Sequence, residues 1–301
     1  MSLFLFFIGA AFGLSEGRNL RVVGRYAEAQ NVFTALLRES EQRSPGSVFV
    51  ATVLDDLALT EQDLGNFMAA ESLLTRSLAI RRDLTVESHL GEVYLEEQRA
   101  REAEPLFRHV LEARRNAPHP DPENTAIAMA YLALLYKYEG KLGRAEALLR
   151  QALALLEERF GPDDPMLSSA LGPLAATLTR EGKYKEALSL AERTWQILRK
   201  APGVGEPNLI NTMSTLGMLY SLTGQFAEAE FYGKEAVAKA EAIYGPEHYR
   251  LGWHLANYAA ILKRMGRKDD ARKVQQRSAA ILARSQQANP VRQTVNVNAL
   301  R

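Results

Sequence analysis

Gly182-Lys-Tyr-Lys-Glu-Ala187 and Gly224-Gln-Phe-Ala-Glu-Ala229 are two copies of one turn, set 42 residues apart. The same spacing reaches Gly140 and Ala145 on one side and Gly266 and Ala271 on the other. Seven residues before each glycine stands a small residue, Ala133, Ala175, Gly217 or Ala259, and four before it a large one, Tyr136, Leu178, Tyr220 or Leu262. At helical spacing both positions share a face, the small residue admitting a neighbouring helix and the large one filling the groove beside it. The glycine supplies the left-handed conformation that ends a helix, and the aromatic and alanine after it open a second, amphipathic helix. Each unit is therefore read as helix, turn, helix.

The frame extends towards the N-terminus. Gly24-Arg-Tyr-Ala-Glu-Ala29 and Gly65-Asn-Phe-Met-Ala-Ala70 are two further turns, with Gly17 and Ala58 at the preceding small position. Gly91 and Glu102-Ala-Glu-Pro-Leu106 mark another unit in which Gln98 occupies the glycine position. Seven units result, and fixed self-similarity of this kind means stacked units sharing one elongated core. From Gly65 to Gln98 the step is 33 instead of 42, so the junction there should lack the long loop found later. Gly161, Gly203 and Gly245 punctuate the inter-unit loops, and Gly161-Pro-Asp-Asp-Pro165 offers a helix stop, an Asp164 cap and a proline for the next first turn. Gly172-Pro173 falls where a first helix should already be running, which predicts a late start or a kink. The last helix, from Lys268, is polar, with Gln275 where an earlier unit has Leu149, as suits the end of an array.

Residues 15–285 form the repeat region, and 286–301 lack helical periodicity and read as a disordered polar tail, with Thr294–Val297 the one stretch that could pair as a strand. The apolar run Leu3–Phe12 within residues 1–14 is too short to span a bilayer and has the length of a signal-peptide core, although the first basic residue, Arg18, follows it. We read it as an export signal of a periplasmic or secreted protein, with a buried N-terminal helix in a cytoplasmic protein as the alternative.

Composition narrows function. Thirty-seven basic against thirty-six acidic residues leave a net charge of +1, without the field that holds a phosphate backbone, so nucleic acid is not expected as a partner. There is no cysteine, hence no thiolate nucleophile, disulfide or cysteine-bound zinc. The histidines, His89, His109, His119, His248 and His254, form no metal-binding pair on one helical face, and no nucleophile elbow, phosphate loop or dinucleotide fingerprint occurs. No catalytic residue, cofactor or metal is expected.

The repeated small, aromatic and alanine positions resemble the tetratricopeptide repeat over about residues 15 to 285. The 42-residue period, Leu135-Tyr136 before Gly140 and Gly161-Pro-Asp-Asp-Pro165 are most similar to the kinesin light chain type. The resemblance implies an all-α, right-handed α-solenoid of about seven helix-turn-helix repeats whose concave groove, lined by first helices, binds extended peptides. One departure weakens transfer of the binding mode. Nine residues before the turn the kinesin light chain repeats carry asparagine, whereas this chain has His89, Tyr131, Pro173, Thr215 and Asn257.

Groove-facing positions then include Asp55, Asp56, Asp63, Glu92 and Glu96 in early units, and Tyr131, Lys137, Tyr138, Arg180, Thr215, Met218, Asn257, Lys263 and Arg264 in later ones, with Trp253 a turn further back. This predicts a groove acidic early and basic late, which would orient a bound segment. Against it, solvated faces carry charges anyway, and Trp253 and Trp195 fit packing as well as contact. The expected function is a non-catalytic scaffold that binds an extended peptide or partner protein. The alternatives are an assembly module, self-associating or attached to a membrane through its N-terminal segment, and a peptide-responsive regulator.

Overall fold

The computed structural model describes residues 2–201 and 205–288; Gly203 and the tail from 289, including Thr294–Val297, lie outside them. The described residues form helix pairs: α1 (Ser2–Val22) with α2 (Tyr26–Arg43), α3 (Val48–Leu64) with α4 (Phe67–Ile80), α5 (Leu84–Glu96) with α6 (Ala100–Arg115), and α7 (Pro122–Tyr138) with α8 (Leu142–Phe160). Then follow α9 (Ser168–Arg180) with α10 (Tyr184–Leu198), α11 (Glu206–Leu222) with α12 (Phe226–Tyr244), and α13 (Tyr249–Arg264) with α14 (Lys268–Ala288). No strand occurs among the described residues. Two units can be distinguished, residues 1–106 and residues 107–285.

All seven turns close in the same way. The N–H one residue past the turn position bonds back five residues, as in Lys141 to Tyr136 O at 2.8 Å, Lys183 to Leu178 O at 2.9 Å and Arg99 to Tyr94 O at 2.7 Å. In six of them, all but Gly224, the turn residue itself also bonds back three, as in Gly140 to Lys137 O at 3.2 Å. This is the Schellman arrangement, in which two orphan carbonyls are satisfied by a residue of positive φ. At two of the turns a cation lies on a ring where the apolar clasp usually stands: Lys141 Nζ is 5.6 Å from the Tyr136 centroid and the Arg99 guanidinium 4.2 Å from that of Tyr94. Gln98 holds a φ of 60° at the turn position, the one non-glycine to do so among the described residues. Gln98→Gly is therefore expected to stabilise the protein by about 1 kcal/mol, the relief of left-handed strain outweighing the freer unfolded chain. The urea midpoint should rise at unchanged slope; a fall would show that the strain is not felt.

The repeated positions are the core. The alanine five residues after each turn position is buried in all seven pairs, from Ala29 through Ala103 to Ala271. In the first unit α1–α2, α2–α3, α3–α4 and α4–α5 pack in sequence, with α1 also against α3 and α3 against α5. Phe33 is its centre, fully buried among Ala29, Leu36, Val50, Leu54 and Leu57, and Leu14 and Leu20 pack against the same cluster. Gly17 lies so close that a Cβ there would stand 2.5 Å from the ring. Ala10 is buried in this cluster too, and α1 runs unbroken from Ser2, so the N-terminal segment enters the fold as helix. No helix among the described residues is long and apolar enough to cross a membrane.

In the second unit each helix from α7 to α13 packs on the next, and the first helices also touch one another, α7 on α9, α9 on α11 and α11 on α13. Backbones come close between α11 and α12, where a Cβ on Gly217 would meet the Gly233 backbone N at 3.0 Å. The side chain of Gln275 is exposed on α14, whereas Leu149 is buried on α8, so α14 presents a polar outer face.

The two expectations about the loops can be made more exact. The short step at Gln98 comes from loop and helices together: against the step from Gln98 to Gly140, the loop 81–83 is three residues shorter than 116–121, α4 has 14 residues against 16 in α6, and α5 has 13 against 17 in α7. Gly172-Pro173 neither ends nor delays α9 beyond itself. The segment opens as a 3-10 turn, Pro165–Leu167, capped by Asp164 accepting from Met166 N at 2.8 Å, and Pro173 lies inside the α-helix that follows. The late start falls at Ser168, four residues after the position where α7 and α11 are already helical.

Candidate ligand surface of the first helices

In the first unit the acidic side chains of α3 are met by cations of neighbouring first helices. Asp56, expected at the groove surface, is buried instead, and Arg18 grips it with Nε at 2.9 and 3.0 Å from its two carboxylate oxygens. Burial pushes the Asp56 carboxyl up, against the pull of Arg18. Arg21 pairs with Asp63 at 2.8 Å. Asp55 accepts from His89 Nδ1 at 2.8 Å; burial opposes charge on that imidazole, but Asp55 and Glu92 hold it above its ordinary value. Glu92 is half-buried. The early carboxylates are thus largely spent within the fold, which corrects the expectation of a free acidic end. Arg18, Arg21 and His89 were missed as their partners, although Arg21 and Asp63 stand one repeat length apart.

In the second unit the basic side chains at the expected groove positions have no such partners among the described residues. Lys137, at the last turn of α7, is half-buried and makes no ion pair among the described residues. Burial and the Arg180 guanidinium push its ammonium down to about 8. Arg180 donates through Nη1 to the Lys137 carbonyl, and Arg264 through Nε to the Ser221 carbonyl at 3.2 Å, each 43 residues back. These arginines thereby cap the end of the preceding first helix while their side chains stay exposed, as does Lys263. Neither Arg180, Lys263 nor Arg264 is ion-paired among the described residues.

The remaining positions are mixed. Tyr138 is exposed. Tyr131 is half-buried and stacks on Phe107 at 5.4 Å, so it is partly a packing residue. Trp253 lies edge-on to Tyr249 at 4.9 Å, and Asn257 Nδ2 donates to Ser214 Oγ at 3.1 Å. Thr215 Oγ1 donates to Asn211 O at 2.9 Å within its own helix, and Met218 is half-buried beside Ser221. What this face offers chemically is four cations on α7, α9 and α13, with an exposed tyrosine next to the first of them.

Models of the tetratricopeptide repeat match residues 84–158 and 166–242, and a second model with the same description matches residues 50–90. No curated protein matches the chain. Among solved structures, a Podosopora anserina putative kinesin light chain with nearly identical TPR-like repeats aligns with a TM-score of 0.51 at 21% identity, over 68% of this chain and 96% of that one. BtubC (BKLC) from P. vanneervenii aligns at 0.54 and 23% identity, over 74% and 92%. A Rap protein complexed with competence and sporulation factor aligns at 0.64 and 15% identity, over 94% and 80%. At these identities the likeness is one of fold.

Proposed function

The chain belongs to the tetratricopeptide repeat family, and on that premise we propose that it is a non-catalytic interaction scaffold whose first-helix face in residues 107–285 holds an extended acidic segment of a partner protein. One observation carries the reading. Lys137, Arg180, Lys263 and Arg264 have no carboxylate partner among the described residues, whereas Arg150, Arg193 and Arg277 on the second helices, and Lys183 and Arg267 just before them, all have one. Cations left unpaired beside a half-buried lysine favour a ligand that supplies the charge. Tyr131, Tyr138, Met218 and Trp253 would seat apolar side chains of that segment, with Thr215 and Asn257 as polar contacts. The Rap protein of similar fold is complexed with competence and sporulation factor, so the fold supports a bound partner. Asp55, Asp56 and Glu92 are not part of the proposed surface.

Reversing the four charges to glutamate should weaken a partner captured from native extract at least tenfold, about 1.4 kcal/mol. The affinity of the unaltered protein should fall as salt rises. Undiminished, salt-independent binding by the reversed variant would remove this face from the account.

A further inference from the structure

Two of the steps between consecutive second helices in residues 107–285, α8 to α10 and α12 to α14, are joined by ion pairs at a fixed spacing, and among the described residues none joins α10 to α12. Arg150 meets Glu186 at 2.6 Å and Lys183 meets Glu146 at 2.9 Å between α8 and α10, and Arg267 meets Glu230 at 2.6 Å between α12 and α14. The partners stand 36 or 37 residues apart. Between α6 and α8 the same spacing sets Arg108 opposite Arg144, Glu112 opposite Leu148 and Arg115 opposite Gln151. Instead of a ladder there is a cleft of about 530 Å³ between the two helices. The guanidinium carbons of Arg108 and Arg144 both lie 6.0 Å from the centroid of the Tyr136 ring, which belongs to α7 beneath. Arg115 reaches only the Gln151 amide oxygen, at 3.4 Å. Leu111 and Leu132 are buried at its floor.

We propose that this cleft is a second ligand site, distinct from the first-helix face, and that it takes an acidic peptide segment bearing a bulky apolar side chain. Three arginines and one glutamate line it, a local excess of positive charge in a chain that is otherwise nearly balanced. Arg144 has no carboxylate partner among the described residues, and a ligand carboxylate can accept paired N–H bonds from its fork. The leucine floor calls for an apolar side chain next to the acid, which a polyphosphate lacks. The volume lies within the range of ligand clefts, about 300–1,000 Å³. Exposed Arg144 is free to turn from the ring to the ligand.

The probe is a fluorescein-labelled hexapeptide alternating glutamate and leucine, followed by anisotropy. The cleft should bind it saturably. Arg144→Glu and the double variant Arg108→Glu/Arg144→Glu should weaken it tenfold or more, with thermal melting unchanged, while reversal of Lys137, Arg180, Lys263 and Arg264 should leave the affinity within twofold. Replacing the glutamates of the probe by glutamine, or its leucines by serine, should each cost tenfold. The site is overturned if the peptide shows no saturable binding up to millimolar concentration, if Arg144→Glu binds it normally, or if inorganic polyphosphate binds as tightly as the peptide. Loss only on reversal of the first-helix cations would place the peptide on that face and likewise overturn the cleft.

Discussion

Phe33→Ala is expected to lower the stability of the first unit by about 3–5 kcal/mol, the cost of deleting a fully buried aromatic ring and leaving its cavity. The ring fills the space between α1 and the α2–α3 core, and Gly17 is glycine because that ring occupies the place of its Cβ. The site cannot collapse easily, since Leu36, Val50 and Leu54 around it are themselves buried. Removing the ring should therefore do more than weaken one contact: α1 loses the side chain that holds it down, and its protease sensitivity should rise before the rest of the chain melts. Because neighbouring pairs of a repeat array melt semi-independently, the measurement is native-state hydrogen exchange or limited proteolysis of α1 alongside urea unfolding. A loss below about 1 kcal/mol, within the range of ordinary surface substitutions, would mean that Phe33 is not the anchor. Gly17→Ala tests the same contact from the other side, by overpacking.

The turns and the core were readable from one sequence because each rests on a residue type that physics ties to a conformation. A residue at positive φ closes each turn, and even the exception, Gln98, could be placed by register and is found at a φ of 60°. The alanines five residues on are buried for the same reason in every pair. Helix ends were less legible. The nine residues missing before Gln98 were divided among α4, α5 and the loop between them, and no single punctuation mark in the sequence encodes such a division.

The candidate surface was legible only in part, because exposure of a charged residue depends on what the adjacent helix brings to it. Asp56 and Lys137 looked alike as groove positions, yet Arg18 buries the first and nothing pairs the second. The cations that meet the early carboxylates lie 34 to 42 residues away, so the sequence distance is compatible with contact but the helical phase decides it. Arg180 and Arg264 show the same limit from another side. Their charge was readable, but their bond to the end of the preceding first helix was not.

Acidification from pH 7 to pH 4 is expected to cost about 3 kcal/mol at His254 alone, the free-energy equivalent of an imidazole that titrates at about 4 in the folded chain and at 6.5 in the unfolded one. Burial holds it down first, and the Arg250 guanidinium one turn earlier on α13 adds to that. The ring is buried in a stack with Tyr244 of α12, 6.4 Å between centroids and 5° between planes, and its Nδ1 has no hydrogen-bond partner to share a proton with. The sign follows from proton uptake. Between pH 6.5 and 4 the unfolded chain binds the proton and the folded chain does not, so stability falls as pH falls through that window. Below about 4 both states carry the proton and the loss is complete. His89 opposes this in direction, its raised value adding stability at low pH that fades as pH rises, so the whole-protein curve mixes the two. The discriminating quantity is the difference between the unprotonatable His254→Phe variant and the unaltered chain, measured by urea unfolding at half-unit steps. That difference should change by about 3 kcal/mol across the window in favour of the variant at low pH. A difference that stays constant with pH would show that His254 is hydrated or paired when folded, and that the α12–α13 stack does not exclude water.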